Sequence, residues 1–439
     1  MASRRREPAR ATPPIRAQVE VRLWGDTVGA AVELESGRVL FEYAEAFAAR
    51  GLEISPVHLP LTVAGPIAFD ELRRSPAFAG LPGVLADALP DAFGNKVIRA
   101  YYAARGETAR AMSPVQRLLY VGERALGALT FHPAETLPMR DAEKQSLAIA
   151  ALVRDARRIV EGDAEVAIPE IYRISASAGG MRPKALVLFD PSTRTLRSAN
   201  ATARPAELPC ILKFDGVGDG ATVSQLGKAQ PFNRVEAAYT KMAQAAGVTT
   251  TEISVLEDDH HAHLLVHRFD LEDGGRLHQH TLGGLLHVDY NDAGASSYEE
   301  YLRTVLRLGM PYASVEQAYR RMLFNVFAIN QDDHVKNLSF HMGRDGKWRL
   351  APAYDLTFAK GQGWTSQHQM RVNDKMRDLR AADLLAVADV FDLNHPPKLL
   401  AHTRDAVARW PEFAKAAAVP GPTIKAIQRE LEQRAEELG

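Results

Sequence analysis

Asn330-Gln-Asp-Asp-His-Val-Lys-Asn337 (NQDDHVKN) follows the apolar, helix-periodic run Val315 to Ile329 and precedes Leu338-Ser339-Phe340, a strand-like triplet. A polar octet between a buried helix and a strand forms a loop, and loop placement exposes its carboxylates. Asp332 and Asn337 are five residues apart, a spacing that an Asx-turn alone would also explain. Further on, the predicted strand Lys347 to Leu350 ends in Ala351-Pro-Ala-Tyr-Asp355, a second loop carrying one carboxylate. Aspartate and asparagine oxygens are the donors a hard cation such as Mg2+ takes.

Upstream lies Ser177-Ala-Gly-Gly-Met-Arg-Pro-Lys184, between predicted strands Ile171 to Ser175 and Pro183 to Phe189. Gly179 and Gly180 would let backbone amides approach a phosphate closely, and Arg182 and Lys184 would add cations. A plain hairpin turn is the competing reading. The segment is not a Walker A loop, because Ala185 follows the lysine where Ser or Thr should stand. Lys213 sits in the apolar strand Ile211-Leu-Lys-Phe214, where an unpaired ammonium is costly to bury. An ATP phosphate would satisfy it; an outward-facing edge-strand lysine is the alternative. Glu236 has two readings, as the partner of Lys213 or as the N3 residue of a capping box begun by Asn233.

Phosphoryl transfer needs phosphates held by donors, a metal holding oxygens in line, and a carboxylate at the attacking hydroxyl. The order here, Gly-rich turn, strand lysine, helix, hairpin, linker, Asp-x4-Asn loop and a later aspartate, is that of a protein kinase. In that scheme Asp332 is the catalytic aspartate, with Asp333 its competitor, and Asn337 and Asp355 are the metal ligands. Lys336 would neutralise the transferring phosphate or face solvent, and His334 would approach the nucleotide or support the loop. The usual Asp-Phe-Gly is absent, since Leu356-Thr357 follows Asp355.

The 439 residues are enough for several domains, and 46% apolar with 24% charged residues is an ordinary globular composition. With 53 basic and 54 acidic residues, the chain lacks the excess charge expected of a direct nucleic-acid or membrane binder. Cys210 is the single cysteine, so no intrachain disulfide and no cysteine zinc site can form. It lies in an apolar run, as a small buried hydrophobe, and a reducing cytoplasm fits. No apolar run reaches the ~18 residues a membrane helix needs. The expected division is a disordered basic tail (1–17), an N-terminal α+β domain (18–140), a β-rich lobe (141–270) and a helical lobe (271–439). Within these, His278 to His287 is assigned to helix, and Glu252 to Leu256 pairs with His263 to His267 in a hairpin. Histidines 260, 261, 263 and 267 suggest a metal site or, with more weight, packing roles.

RISASAGGMRPKALV, ILKF, NRVEAAY, HRFDLE, NQDDHVKN and LAPAYDLTF together resemble the HipA-type serine/threonine kinase toxins of bacteria. VRLWGDTVGAAVEL and the segment around LADALPDAFGNKVI resemble that family's N-terminal domain. The resemblance implies an α+β, two-lobed kinase-like fold behind an N-terminal domain. It implies ATP and Mg2+ as cofactors, with Gly179, Gly180, Met181, Arg182, Pro183 and Lys184 over the phosphates and Lys213 on them. The backbone of His267, Arg268 and Phe269 would meet adenine, with Gln279 nearby. Ser177, or Ser175 in the alternative register, would be autophosphorylated and switch the kinase off. The implied partners are a protein substrate such as an aminoacyl-tRNA synthetase and a HipB-like helix-turn-helix antitoxin, with DNA reached only through that antitoxin and no membrane. Two other readings are a catalytically inactive nucleotide-binding regulator and a metal-dependent phosphohydrolase built on Asp332, Asp333 and His334.

Overall fold

The computed structural model describes residues 13–106, 112–135, 147–162, 182–215, 217, 231–258, 261–273 and 275–439. The strand expected at Ile171 to Ser175 lies outside them, as do Ser175, Ser177, Gly179, Gly180, Met181 and His260.

The chain opens with a four-stranded antiparallel sheet of β1 (Ile15–Leu23), β2 (Asp26–Leu34), β3 (Val39–Tyr43) and, after several helices, β4 (Leu129–His132), in the order β3-β2-β1-β4. Alternation explains it: Val19, Val21 and Leu23 of β1 are fully buried, while Arg16, Arg22 and Glu20 form ion pairs toward solvent. Ile15 already pairs with Leu34, so the expected tail boundary at residue 17 falls inside β1. Past two short helical turns, Glu45–Ala48 and Asp70–Arg74, the intervening helices are α1 (Gly83–Ala86), α2 (Ala92–Ala103) and α3 (Pro114–Val121), and α4 (Ile149–Glu161) follows the sheet.

A second, five-stranded antiparallel sheet comprises β5 (Lys184–Asp190), β6 (Thr195–Ser198), β7 (Leu208–Lys213), β8 (Ile253–Glu257) and β9 (Ala262–His267), in the order β6-β5-β7-β9-β8. Helix α5 (Phe232–Ala245) connects β7 to β8. The expected hairpin of β8 and β9 forms, and β7 is the central strand, which removes the edge-strand reading of Lys213. Cys210 is buried in β7, as a small hydrophobe should be, and burial pushes its thiol up to about 12.

The remainder is helical around a three-stranded antiparallel sheet. Strand β10 (His278–Thr281) leads into α6 (Leu282–Leu286), α7 (Tyr298–Arg307) and α8 (Tyr312–Phe327), then β11 (Ser339–Met342) and β12 (Trp348–Leu350) complete the sheet. Helices α9 (Ala381–Val390), α10 (Pro396–Ala408), α11 (Trp410–Ala416) and α12 (Gly421–Leu438) close the chain. The helix expected over His278 to His287 is therefore half strand. His278 and His280 are buried on alternate positions of β10, and Thr281 ends it by accepting the Gly284 N–H as the N-cap of α6.

The N-terminal segment is not packed as a separate body. Its sheet shares one continuous hydrophobic core with α5 and helices α7 to α12. Phe93, Val97 and Tyr101 of α2 join Leu152 and Ile159 of α4 against Val187, Cys210 and Leu212 of the five-stranded sheet. At the junction of α1 and α6 a Cβ on Gly83 would lie 1.8 Å from the Gly284 oxygen, so only glycine permits that backbone approach. Among the described residues no helix is long and apolar enough to cross a membrane.

Candidate active site

Lys213 is the last residue of the central strand β7, and its neighbours are set by what α5 does beside it. The helix begins at Phe232 with Pro231 at its N-cap, so the capping box expected from Asn233 to Glu236 does not form. Instead the Asn233 amide donates to the Lys213 carbonyl (3.3 Å) and the Ala262 carbonyl (2.9 Å), tying α5 to the ends of β7 and β9. One turn further, Glu236 is delivered to Lys213, Oε1 to Nζ 2.5 Å, with both side chains under a tenth exposed. Lys213 also donates to Asp355 Oδ1.

Asp355 reaches this position through a left-handed backbone (φ 53°), a conformation aspartate tolerates better than most residues. Burial pushes its carboxyl up, but the ammonium groups of Lys213 and Lys184 outweigh that and hold it at about 2. Lys184 stands directly opposite Lys213 in the β5–β7 register, and both are buried. Two neighbouring buried ammoniums repel unless anions lie between or beside them. Desolvation lowers the Lys184 pKa, and Asp355 and Asp91 partly restore it. Lys213 is also disfavoured by burial, yet its two carboxylate partners raise it above the ordinary value.

The Asp332 loop starts from a strained turn. Helix α8 ends at Phe327, and buried Ile329 adopts φ 51°, a genuine outlier for a β-branched residue. The two adjacent carboxylates then part company. Asp333 is 2% exposed and accepts from the Tyr298 hydroxyl (2.8 Å), His368 Nδ1 (2.9 Å) and the Gln369 N–H (2.7 Å). Those bonds occupy it as a structural anchor and leave no phosphohydrolase trio with Asp332 and His334. Asp332 keeps 42% side-chain exposure, accepts from the Trp364 indole N–H (2.7 Å), and has His334 Nε2 3.8 Å away. Burial raises its carboxyl above the usual range despite His334 and Trp364. Asn337 donates its amide to the Asp332 carbonyl (2.9 Å), which fixes the amide so that its oxygen is left as a ligand atom.

Several of these groups line one cavity. Lys184, Lys213, Asp355, Asn337, His334 and Lys336 form its polar side, and Phe269 and Gln279 also line it. Tyr354, not singled out from the sequence, stacks on Phe269 at 5.1 Å and 20°, and its hydroxyl donates to the Lys336 carbonyl. The opposite wall comes from the N-terminal segment, with Val84, Asp87, Ala88, Leu126 and Leu129. No periodicity could reveal that wall, because it depends on docking of α1 against α6. His267 and Arg268 are not brought to the cavity: the His267 carbonyl accepts from Thr251, the Arg268 N–H donates to Pro209, and the Arg268 guanidinium pairs with Asp270. The Pro183 carbonyl accepts from the Phe214 N–H, and Arg182 lies over the Phe232 ring at 3.9 Å.

Two further clusters resemble sites, one remote from the cavity and one behind its Asp87 wall. Asp258, His261 and His263 bring ligand atoms within 4.8 Å of one another. However, the Asp215 N–H donates to His263 Nδ1 and Arg157 donates to His261 Nε2, so each ring carries its proton on the nitrogen facing Asp258. The rings are donors to the carboxylate and have no lone pair to offer a metal there. Ser55, His280 and Asp87 repeat the connectivity of a hydrolase triad, with His280 3.1 Å from Ser55 and 2.6 Å from Asp87. Ser55 and His280 are fully buried, so the trio serves as a clamp between the N-terminal segment and β10.

Two family models cover most of the chain, the HipA N-terminal domain over residues 19–132 and the HipA-like C-terminal domain over residues 176–438. The chain belongs to the HipA family. Among solved structures, this HipA-family fold matches a chain of the Shewanella oneidensis MR-1 toxin–antitoxin complex of HipA, HipB and operator DNA with a TM-score of 0.66, over 95% of this chain and 96% of that one at 18% identity. The Helicobacter pylori proinflammatory kinase CtkA aligns at a TM-score of 0.36 and 10% identity over 60% of this chain and 90% of its own, too loosely to argue from. A Sinorhizobium fredii protein named "Putative kinase Y4dM" is 24% identical over 415 residues, spanning 89% of this chain and 90% of the relative.

Proposed function

We propose that this HipA-family protein is an ATP- and Mg2+-dependent kinase that phosphorylates a serine or threonine of a protein, on a two-lobed framework in which the five-stranded sheet and the helical C-terminal part flank the nucleotide. The observation that carries this reading is the convergence of Lys213 and Asp355 with His334, Lys336 and Asn337 on one cavity, with Glu236 holding Lys213 from behind and Asp332 tied to Asn337 through its carbonyl. The name of the Sinorhizobium relative agrees with it.

The residues present fit the nucleotide and the metal. Paired Lys184 and Lys213 call for polyanionic charge, His334 Nδ1 is buried with no hydrogen-bond partner, and Asn337 and Asp355 offer oxygen donors. The apolar wall and the Phe269–Tyr354 stack suit a flat purine. Bound Mg2+ would neutralise charge on the transferring phosphoryl group. Lys213, held by Glu236, orients the phosphates, Lys184 and Lys336 stabilise their charge, and Asp332 orients the acceptor hydroxyl and receives its proton.

By family likeness, Ser177 or Ser175 becomes autophosphorylated and ends activity, and an aminoacyl-tRNA synthetase serves as the target. The HipB and operator DNA of the Shewanella complex support a helix-turn-helix antitoxin as partner, with DNA reached through it. The test is transfer of label from γ-labelled ATP to protein by wild type and Asp332→Asn, with phosphosites located by mass spectrometry. Label dependent on Asp332 is expected. Equal incorporation by both proteins overturns the assignment, and ADP formation with no phosphoprotein replaces it with hydrolysis.

A further inference from the structure

Beside Asp332 three rings stand in a row. Tyr290 and His334 are 5.5 Å apart, His334 and Trp364 6.3 Å apart, and the Lys336 ammonium lies 5.3 Å from the Tyr290 centroid. Trp364 sits in a tight turn, Gly363–Ser366, and is tied down at both polar ends. Its indole N–H donates to Asp332 Oδ1 (2.7 Å) and its carbonyl accepts from the Gln369 amide (2.6 Å), while the Gln369 N–H is itself held by Asp333 (2.7 Å). Buried Asp333 thus anchors the segment that delivers Trp364 to the neighbouring carboxylate.

Trp364 is nevertheless 37% exposed, one of few large hydrophobic residues so placed among the described residues. An immobilised indole with a wet apolar face loses little entropy when something apolar covers it. Its hydrogen bond engages one carboxylate oxygen of Asp332, so the rotamer is fixed and the other oxygen remains for a second donor.

We propose, building on the kinase reading above, that Trp364 is the positioning and specificity residue for the acceptor polypeptide. Its N–H holds Asp332 for the incoming serine or threonine hydroxyl, and its exposed face seats an apolar side chain flanking that residue. In the step it serves, the acceptor oxygen bonds to the terminal phosphorus as the bond from phosphorus to the bridging oxygen of ATP breaks. The electron pair leaves with ADP, and the hydroxyl proton passes to the free oxygen of Asp332.

The experiment uses the full chain, Mg2+ with γ-labelled ATP, and an arrayed peptide library in which one serine or threonine is fixed and each flanking position is varied. Wild type should favour large apolar residues at one flanking position. Trp364→Ala should raise the peptide KM at least tenfold and flatten that preference, with ATP-analogue affinity within twofold of wild type. Trp364→Phe, which keeps the ring and loses the N–H, should retain the preference and lower kcat. If Trp364→Ala matches wild type in peptide KM and preference while transfer still requires Asp332, this proposal fails and the kinase reading stands. If transfer is indifferent to Asp332→Asn, the kinase reading itself fails. A wild-type chain that phosphorylates itself through Asp332 but no library peptide also overturns the docking role.

Discussion

Replacing Lys213 with methionine tests the central electrostatic argument, because methionine approximates the apolar stem and removes the ammonium with its charge and its donors. In the wild type one buried ammonium is shared by Glu236 and Asp355. Removing one partner of a buried, hydrogen-bonded pair costs roughly 3–5 kcal/mol, since the remaining charge is left without a counter-ion. Here two carboxylates are stranded, with Lys184 close enough to compensate Asp355 in part. We therefore expect a loss of about 3 kcal/mol at pH 7. The sign of the pH dependence follows from Asp355. Its folded carboxyl lies at about 2, below the ordinary value of 3.8, so it contributes stability that is complete above the unfolded value and lost as pH falls through the folded one. Without Lys213, burial dominates, the folded carboxyl rises above the unfolded value, and that contribution reverses. The difference between variant and wild type should be largest near neutrality and narrow toward pH 4, where the variant's carboxylates take up protons. Urea unfolding followed by circular dichroism at pH 7 and pH 4.5 measures it, with Lys213→Met/Glu236→Gln expected to recover part of the loss. A Lys213→Met protein within about 0.5 kcal/mol of wild type at pH 7 would refute the buried-charge reasoning.

The two adjacent aspartates should separate cleanly in denaturation and activity assays: Asp333→Asn puts an amide NH2 in place of one accepting oxygen, against either the Gln369 N–H or the Tyr298 and His368 donors, and should cost about 2–3 kcal/mol, whereas Asp332→Asn should leave stability nearly unchanged and abolish transfer. Gly284→Ala places a Cβ 2.3 Å from Asp87 Oδ2, so thermal melting should show a loss of about 1–3 kcal/mol and ATP-analogue affinity should fall as the Asp87 wall shifts. Burial, with His280 adding to it, depresses His278 to about 3, so its contribution is complete above the unfolded value near 6.5 and lost progressively as pH falls toward 3. At pH 5 that loss is about 2 kcal/mol, and His278→Gln should flatten the stability profile between pH 5 and 7.

The local elements were legible wherever burial followed a simple period. Strands β5, β7, β8, β9 and β12 and helix α8 lie where residue pattern and spacing placed them. Two errors share a cause. The Asn233–Glu236 spacing satisfied a local capping rule, and His278 to His287 carried apolar residues at helical intervals. In each case a partner distant in sequence decided otherwise, the carbonyl of Lys213 for Asn233 and the edge of β11 for His278 to Thr281.

For the site, the sequence by itself determined the inventory: a loop pairing Asp332 with Asn337, Asp355 after a strand, and lysines at 184 and 213 in apolar runs whose burial demands anions. Those follow from residue type and near-neighbour spacing, because solvation cost is a property of the group and its immediate strand or loop. Tertiary structure alone decided how the inventory is divided into roles. It sent Asp333 inward to Tyr298 and His368 and left Asp332 facing solvent beside Trp364. It gave Glu236 to Lys213 rather than to its own helix end, and supplied the cavity's second wall from the N-terminal segment, far from the loop in the chain. Direction and distance between groups far apart in sequence are set by how sheets and helices pack, and no local pattern encodes them.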